Sequence, residues 1–77
     1  MIALRLTAHG TLRRFLPQGR AADTVAVPEG ATVATLVGQL GAAGQVWIAT
    51  VNDEVVRFSR RLAAGDRVEL HGSLEGG

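Results

Sequence analysis

The chain has 77 residues, enough for one domain with a thin core. Nearly half of the residues are apolar and 19% are charged, a balance that excludes an intrinsically disordered chain. Arginines nearly cancel the seven carboxylates, so the net charge favours neither a nucleic acid nor an anionic membrane as a partner.

The first part of the chain predicts two strands. Apolar and polar residues alternate over residues 2–8, which is the period of a half-buried strand. Residues 11–16 have room for one helical turn before Pro17 stops it. Residues 24–27 predict a short second strand.

One amphipathic helix follows. Thr32 is suited to be its N-cap, and Gly41 is placed to end it in the left-handed conformation. The apolar stripe at helical spacing consists of Val33, Leu36, Val37 and Leu40. We expect this stripe to pack on Leu4, Leu6, Val68 and Leu70 of the sheet. Gly38 costs about 1 kcal/mol relative to alanine, unless it lets a strand approach closely.

The second half of the chain predicts three strands, over residues 46–51, 55–58 and 67–71. Asn52-Asp53 is a tight-turn signal between the first two, and residues 62–66 form the turn before the last. The order of elements predicts an α+β fold in which the first and last strands lie side by side at the sheet centre.

The strand over residues 46–51 is too apolar to hide both faces behind one helix. We expect Val46 and Ile48 to form an exposed partner-binding patch, because Thr50 shares their face. The alternative exposed set is Trp47, Ala49 and Val51.

A search for catalytic groups finds none. His9 and His71 are the only imidazoles and lack the spacing of a metal pair, so we expect no metal site and no bound cofactor. Asp53 and Glu54 point apart in a hairpin turn, and Ser59 has no base nearby in sequence. The absence of cysteine excludes thiolate catalysis and favours a reducing compartment, so we expect a cytoplasmic protein without a membrane segment.

The end of the chain offers chemistry of another kind. Two terminal glycines occur by chance in roughly 1 sequence in 200. Glycine has no side chain, so Gly76 and Gly77 can thread a narrow channel of an adenylating enzyme. Adenylation gives the terminal carboxylate a good leaving group. Glu75 belongs to the threaded segment, and Leu74 either anchors it to a partner or folds back on the domain.

Three segments carry a resemblance to a known family: residues 51–56 (VNDEVV), residues 62–70 (LAAGDRVEL) and the terminal Gly76-Gly77. With the helix start at residues 30–33, they resemble the ThiS/MoaD sulfur-carrier family. The resemblance implies a ubiquitin-like β-grasp fold with a mixed sheet of four to five strands and one principal helix. Independently of the resemblance, the residues after Gly72 have too few apolar groups to pack, so we expect a domain over residues 1–72 and a flexible tail over residues 73–77.

The resemblance further implies a carrier and not an enzyme. A ubiquitin-activating-type enzyme would use ATP to adenylate Gly77, and a persulfide donor would convert the product to a thiocarboxylate. The acceptor would be a synthase subunit in molybdopterin synthesis, where such a carrier is the small subunit, or the thiazole-forming step of thiamine synthesis. The segment before the glycines lacks the proline-rich run common in the molybdopterin branch, so both branches stay open.

Two alternatives are a β-grasp binding module for RNA or protein and a ubiquitin-like protein modifier. The RNA-binding alternative requires that Arg13-Arg14 and Arg60-Arg61 meet in space to hold phosphates. A modifier would share the adenylate and differ in the nucleophile, an amine in place of sulfide.

Overall fold

Five strands and one α-helix make up residues 1–72, the part of the chain that the computed structural model describes. In chain order they are β1 (Ile2–Ala8), β2 (Ala22–Val27), α1 (Val33–Leu40), β3 (Val46–Val51), β4 (Glu54–Val56) and β5 (Arg67–Gly72). Two short 3₁₀ segments, Gly10–Phe15 and Pro17–Gly19, connect β1 to β2. Leu16, between the two segments, is extended, and Gln18 within the second segment has a positive φ of 59°.

The strands form one mixed sheet in the order β2-β1-β5-β3-β4. β1 and β5 pair in parallel at its centre, and the other neighbouring strands are antiparallel. The predicted placement of the first and last strands is therefore confirmed, as is the mixed sheet with one helix. β2 begins earlier than its sequence pattern indicates, because its first residue pairs with Thr7 of β1.

The core lies between α1 and one face of the sheet. Val33 and Leu36 are fully buried, Val37 is buried, and Leu40 is half-buried against the same cluster, as the apolar stripe predicts. The expected sheet partners Leu4, Leu6, Val68 and Leu70 are all buried in this cluster. α1 has eight residues, and no helix within residues 1–72 is long and apolar enough to cross a membrane.

Both predicted ends of α1 are confirmed. The side chain of Thr32 accepts a hydrogen bond from the amide of Thr35 at 3.2 Å, and the Thr35 hydroxyl accepts from the amide of Thr32 at 3.1 Å. This reciprocal capping satisfies amides that the first turn would leave unpaired. Gly41 ends the helix with a φ of 77°, a conformation that costs little for glycine alone.

The strand predicted over residues 55–58 is shorter in the structure, where β4 spans Glu54–Val56. Phe58 lies beyond it, packs against the core, and accepts a hydrogen bond at its carbonyl oxygen from the amide of Ala34 at 2.9 Å. The apolar pattern of this segment therefore reports core packing beneath the helix start and not continued strand pairing.

Replacing Gly38 with alanine is expected to raise the free energy of unfolding by about 0.5 to 1 kcal/mol. A Cβ at this exposed helical position would have no atom outside the helix within 4 Å, so the close strand approach considered from the sequence is absent. Chemical denaturation measures the change. Gly41→Ala is the matched control: at a φ of 77° the same substitution should destabilise the protein, and equal effects at both sites would contradict the argument.

Candidate functional site

The last described residue, Gly72, ends the central strand of the sheet. β5 lies between β1 and β3 and ends at Gly72. The predicted tail residues Leu74, Glu75, Gly76 and Gly77 lie outside the described residues, so their roles stay predictions. Contacts with neighbouring elements hold both ends of β5.

The end of β5 lies beside Leu12 and Gln45. A Cβ at Gly72 would lie 3.4 Å from Leu12 Cγ and 3.5 Å from the carbonyl oxygen of Gln45. Gly72 also pairs with Val46 of β3. Gly72 is therefore half-buried and is positioned by its pairing with Val46.

The start of β5 is held by the carboxylate of Asp66, which is only 8% exposed. Its Oδ2 accepts from the amide of Ala63 at 2.8 Å, and its Oδ1 accepts from Asn52 Nδ2 at 3.0 Å. Asn52 Oδ1 in turn accepts from the amide of Arg67 at 3.0 Å. Asn52 and Asp53 have φ of 52° and 72°, so the predicted tight turn is confirmed. The Gly-Asp and Asn-Asp motifs thus fasten the turn between β3 and β4 to the central strand.

The expectation that Val46 and Ile48 share the outer face of the sheet is wrong for Val46. Val46 pairs with Gly72 whereas Ile48 pairs with His71, so β3 carries one extra residue at this point. Such a bulge reverses the alternation of side chains. Val46 therefore packs against the core cluster, and Ile48 stays half-buried on the opposite face. Neither residue's role in partner binding is tested by this placement.

Two exposed apolar side chains lie close to Ile48. Trp47, the extra residue of the bulge, is 63% exposed, and Val55 of β4 is 74% exposed. Val55 pairs with Thr50 and therefore shares the outer face with Ile48. We call Trp47, Ile48 and Val55 the outer apolar patch. Regular alternation along the sequence groups Trp47 with Ala49 and Val51, which are both buried. No signal in the sequence marks the bulge that separates Trp47 from these two residues.

Comparison with protein-family models decides the relationship. The model described as the ThiS family matches residues 10–76. The chain belongs to the ThiS family. The match covers α1, both hydrogen-bonded turns around β5 and the first of the two C-terminal glycines. No curated protein matches this ThiS-family chain significantly.

Solved structures similar to the ThiS-family chain show its fold. A protein described as molybdopterin converting factor subunit 1 from Pyrococcus furiosus is 18% identical, with a TM-score of 0.77 over 96% of this chain and 100% of that one. A crystal structure of small archaeal modifier protein 1 from Haloferax volcanii is 22% identical, with a TM-score of 0.74 over 96% of this chain and 100% of that one. A second, of SAMP1 from the same organism, is 23% identical, with a TM-score of 0.70 over 97% and 99% of the two chains. The predicted β-grasp fold is confirmed.

The two arginine pairs of the ThiS-family chain lie at opposite ends of α1. The carbonyl oxygen of Arg60 accepts from the amide of Val33 at the helix start. Arg14 instead donates to Gln45 Oε1 at 3.3 Å, beyond the helix end, and its guanidinium lies 4.8 Å from the centroid of the Phe15 ring. An eight-residue helix is about 12 Å long, so the two pairs are separated by about the length of α1, and RNA binding stays a prediction.

A narrow cleft lies between the first 3₁₀ segment, the end of α1 and β3. Its lining is formed by Ala8, Leu12, Phe15, Leu16, Leu40, Ala42, Val46 and Leu70. These side chains are all apolar and supply no acid, base or nucleophile. The imidazoles of His9 and His71, far apart in sequence, meet on the other face of the sheet. Their ring centroids are 4.3 Å apart.

Proposed function

We propose that this ThiS-family protein is a sulfur carrier that is itself a substrate and not a catalyst. The observation that carries the proposal is the family match, which extends to the first glycine of the Gly76-Gly77 pair. The central, doubly anchored β5 supports it, because a fixed starting point lets a carrier present its last residues reproducibly to successive partners.

The chemistry begins at the carboxylate of Gly77. An activating enzyme of the ubiquitin-activating type transfers AMP from ATP to this carboxylate and releases pyrophosphate. The persulfide of a sulfur donor attacks the acyl carbon and expels AMP, which leaves an acyl disulfide. A second thiol, on the donor or another protein, attacks the donor's sulfur atom in that acyl disulfide; this forms a disulfide between the thiol and the donor and releases the thiocarboxylate. The carrier binds no cofactor in this scheme, and ATP is consumed by its partner.

The acceptor is a synthase subunit that builds sulfur into a cofactor, of the molybdopterin or the thiamine type. The fold shared with molybdopterin converting factor subunit 1 is compatible with a role as the small, non-catalytic subunit of such a synthase. The outer apolar patch is the surface that we assign to partner proteins. We place the reaction in the cytoplasm, because reducing conditions preserve a thiocarboxylate.

A second candidate is a protein modifier. The fold is also shared with small archaeal modifier protein 1. A modifier would pass the same adenylate to a lysine amine of a target and form an amide. The chain has no lysine of its own and so could not form chains with itself through a side-chain amine.

Mass spectrometry of the protein isolated from its own cells is expected to show a thiocarboxylate. The intact mass should match the exchange of one oxygen atom for sulfur, and iodoacetamide should add one label. Because the chain has no cysteine, a fast label at neutral pH reports the thiocarboxylate, and fragment spectra place it on Gly77 and not on Met1. A Gly77 deletion is the control and should take no label.

Two results would contradict the carrier. An unlabelled protein recovered only as amide adducts would support the modifier. An unlabelled, unmodified protein from cells that need the cofactor would exclude both functions.

A further inference from the structure

His9, Glu69 and His71 form a side-chain cluster on the face of the sheet opposite α1. β1 and β5 pair in parallel, with Ala8 opposite Leu70. His9, which directly follows β1, therefore lies beside His71 of β5. The two rings stack with their centroids 4.3 Å apart and their planes 5° from parallel. His9 Nε2 lies 2.8 Å from Glu69 Oε1.

The donor atoms of this cluster are close to the spacing of metal ligands. One ligand atom from each of the three residues lies within 4.8 Å of the other two. Ligand atoms on a tetrahedral Zn²⁺ are about 3.3 Å apart, given bonds of about 2.0 Å. Side-chain rotation closes this difference, since the sheet already sets the three backbone positions.

The cluster is open to solvent and its carboxylate is not claimed by arginine. The side chains of His9 and Glu69 are 44% and 35% exposed, so an ion can reach them and the rings can turn. Within residues 1–72, the side chain of Glu69 lies within salt-bridge distance of His9 alone. Arg67, two residues earlier on the same strand, pairs with Asp53 at 3.0 Å.

We propose that His9, Glu69 and His71 bind one divalent transition-metal ion of the Zn²⁺ type. Two imidazoles and one carboxylate are a ligand set that Zn²⁺ uses in proteins, and three protein ligands leave a position for water. The ion replaces the hydrogen bond between His9 and Glu69 and joins β1 to β5. The expectation of no metal site rested on spacing along the chain, which does not register neighbours created by strand pairing. The site is independent of the carrier chemistry.

Titration of the full chain with ZnCl₂ tests the proposal. We expect saturable binding of one ion, measured by calorimetry, with the ring resonances of both histidines shifting together in NMR spectra. A rise in melting temperature should saturate with the ion, because it binds the folded state. MgCl₂ should not compete, since Mg²⁺ prefers oxygen ligands.

Variants assign the ligands. His9→Ala and His71→Ala should each abolish binding, and Glu69→Gln should weaken it at least tenfold. Glu54→Gln removes an exposed carboxylate on β4 and should bind as the unmodified chain does. Each variant is checked for folding by thermal unfolding without metal. If one histidine variant fails to fold, the other is enough to test whether a histidine binds the ion. Absence of saturable binding, or binding that survives both histidine substitutions, would overturn the proposal.

Discussion

Replacing Leu36 with alanine is expected to lower the free energy of unfolding by about 2 to 5 kcal/mol. Leu36 has no exposed surface and sits in the cluster between α1 and the sheet. The substitution removes buried methyl groups and leaves a cavity that neighbouring side chains fill only in part. Small domains have total stabilities of about 5 to 15 kcal/mol, so the loss should be a substantial share of the stability of the folded chain.

Urea denaturation measures this loss as a lower midpoint at an unchanged slope. Val55→Ala is the matched control. Val55 is also a branched aliphatic residue, but it lies on β4 and is 74% exposed. Its effect should stay within about 0.5 kcal/mol. Similar losses at both positions would contradict the assignment of the core to the space beneath α1.

Deleting Gly77 is expected to abolish sulfur transfer while leaving the melting temperature unchanged. Stability should persist because the buried cluster lies within residues 1–72. Transfer should fail because the new terminus falls short of the activating site by one residue, about 3.5 Å. The activating enzyme, ATP and a persulfide donor are supplied, and the thiocarboxylate is detected by iodoacetamide labelling.

Substitutions at Gly76 separate channel width from tail length. Gly76→Val should also abolish transfer, because a branched side chain blocks a narrow channel, and Gly76→Ala should be impaired less. A tail-deleted protein that still replaces the intact one in its own cells would contradict the proposed chemistry. So would a valine variant that is labelled as fast as the unmodified chain.

Local sequence signals predicted most of the fold. The cap at Thr32, the stop at Gly41 and the turn at Asn52-Asp53 depend on a few neighbouring residues, and all three are confirmed. The strand predicted up to residue 58 failed because Phe58 is apolar for a different reason, its packing on the core. Alternation and composition alone do not separate these two causes.

Two features of the site depend on strand register and could not be predicted. The bulge in β3 turns Val46 inward and leaves Trp47 exposed, whereas counting alternate residues assumes a regular ladder. The stacking of His9 on His71 requires the exact offset between two distant strands. Patterns along the chain carry little information on such offsets.

The parallel pair of β1 and β5 bears on how the protein matures on the ribosome. β1 emerges first and β5 last, yet each supplies half of the sheet centre, and β5 brings Val68 and Leu70 to the core. A nascent chain that has reached only β4 cannot complete this core, so folding waits for release of the last strand. Termination before β5 therefore yields a chain without a folded surface. The topology makes acceptance by any partner that reads the folded sheet a check that translation has passed β5.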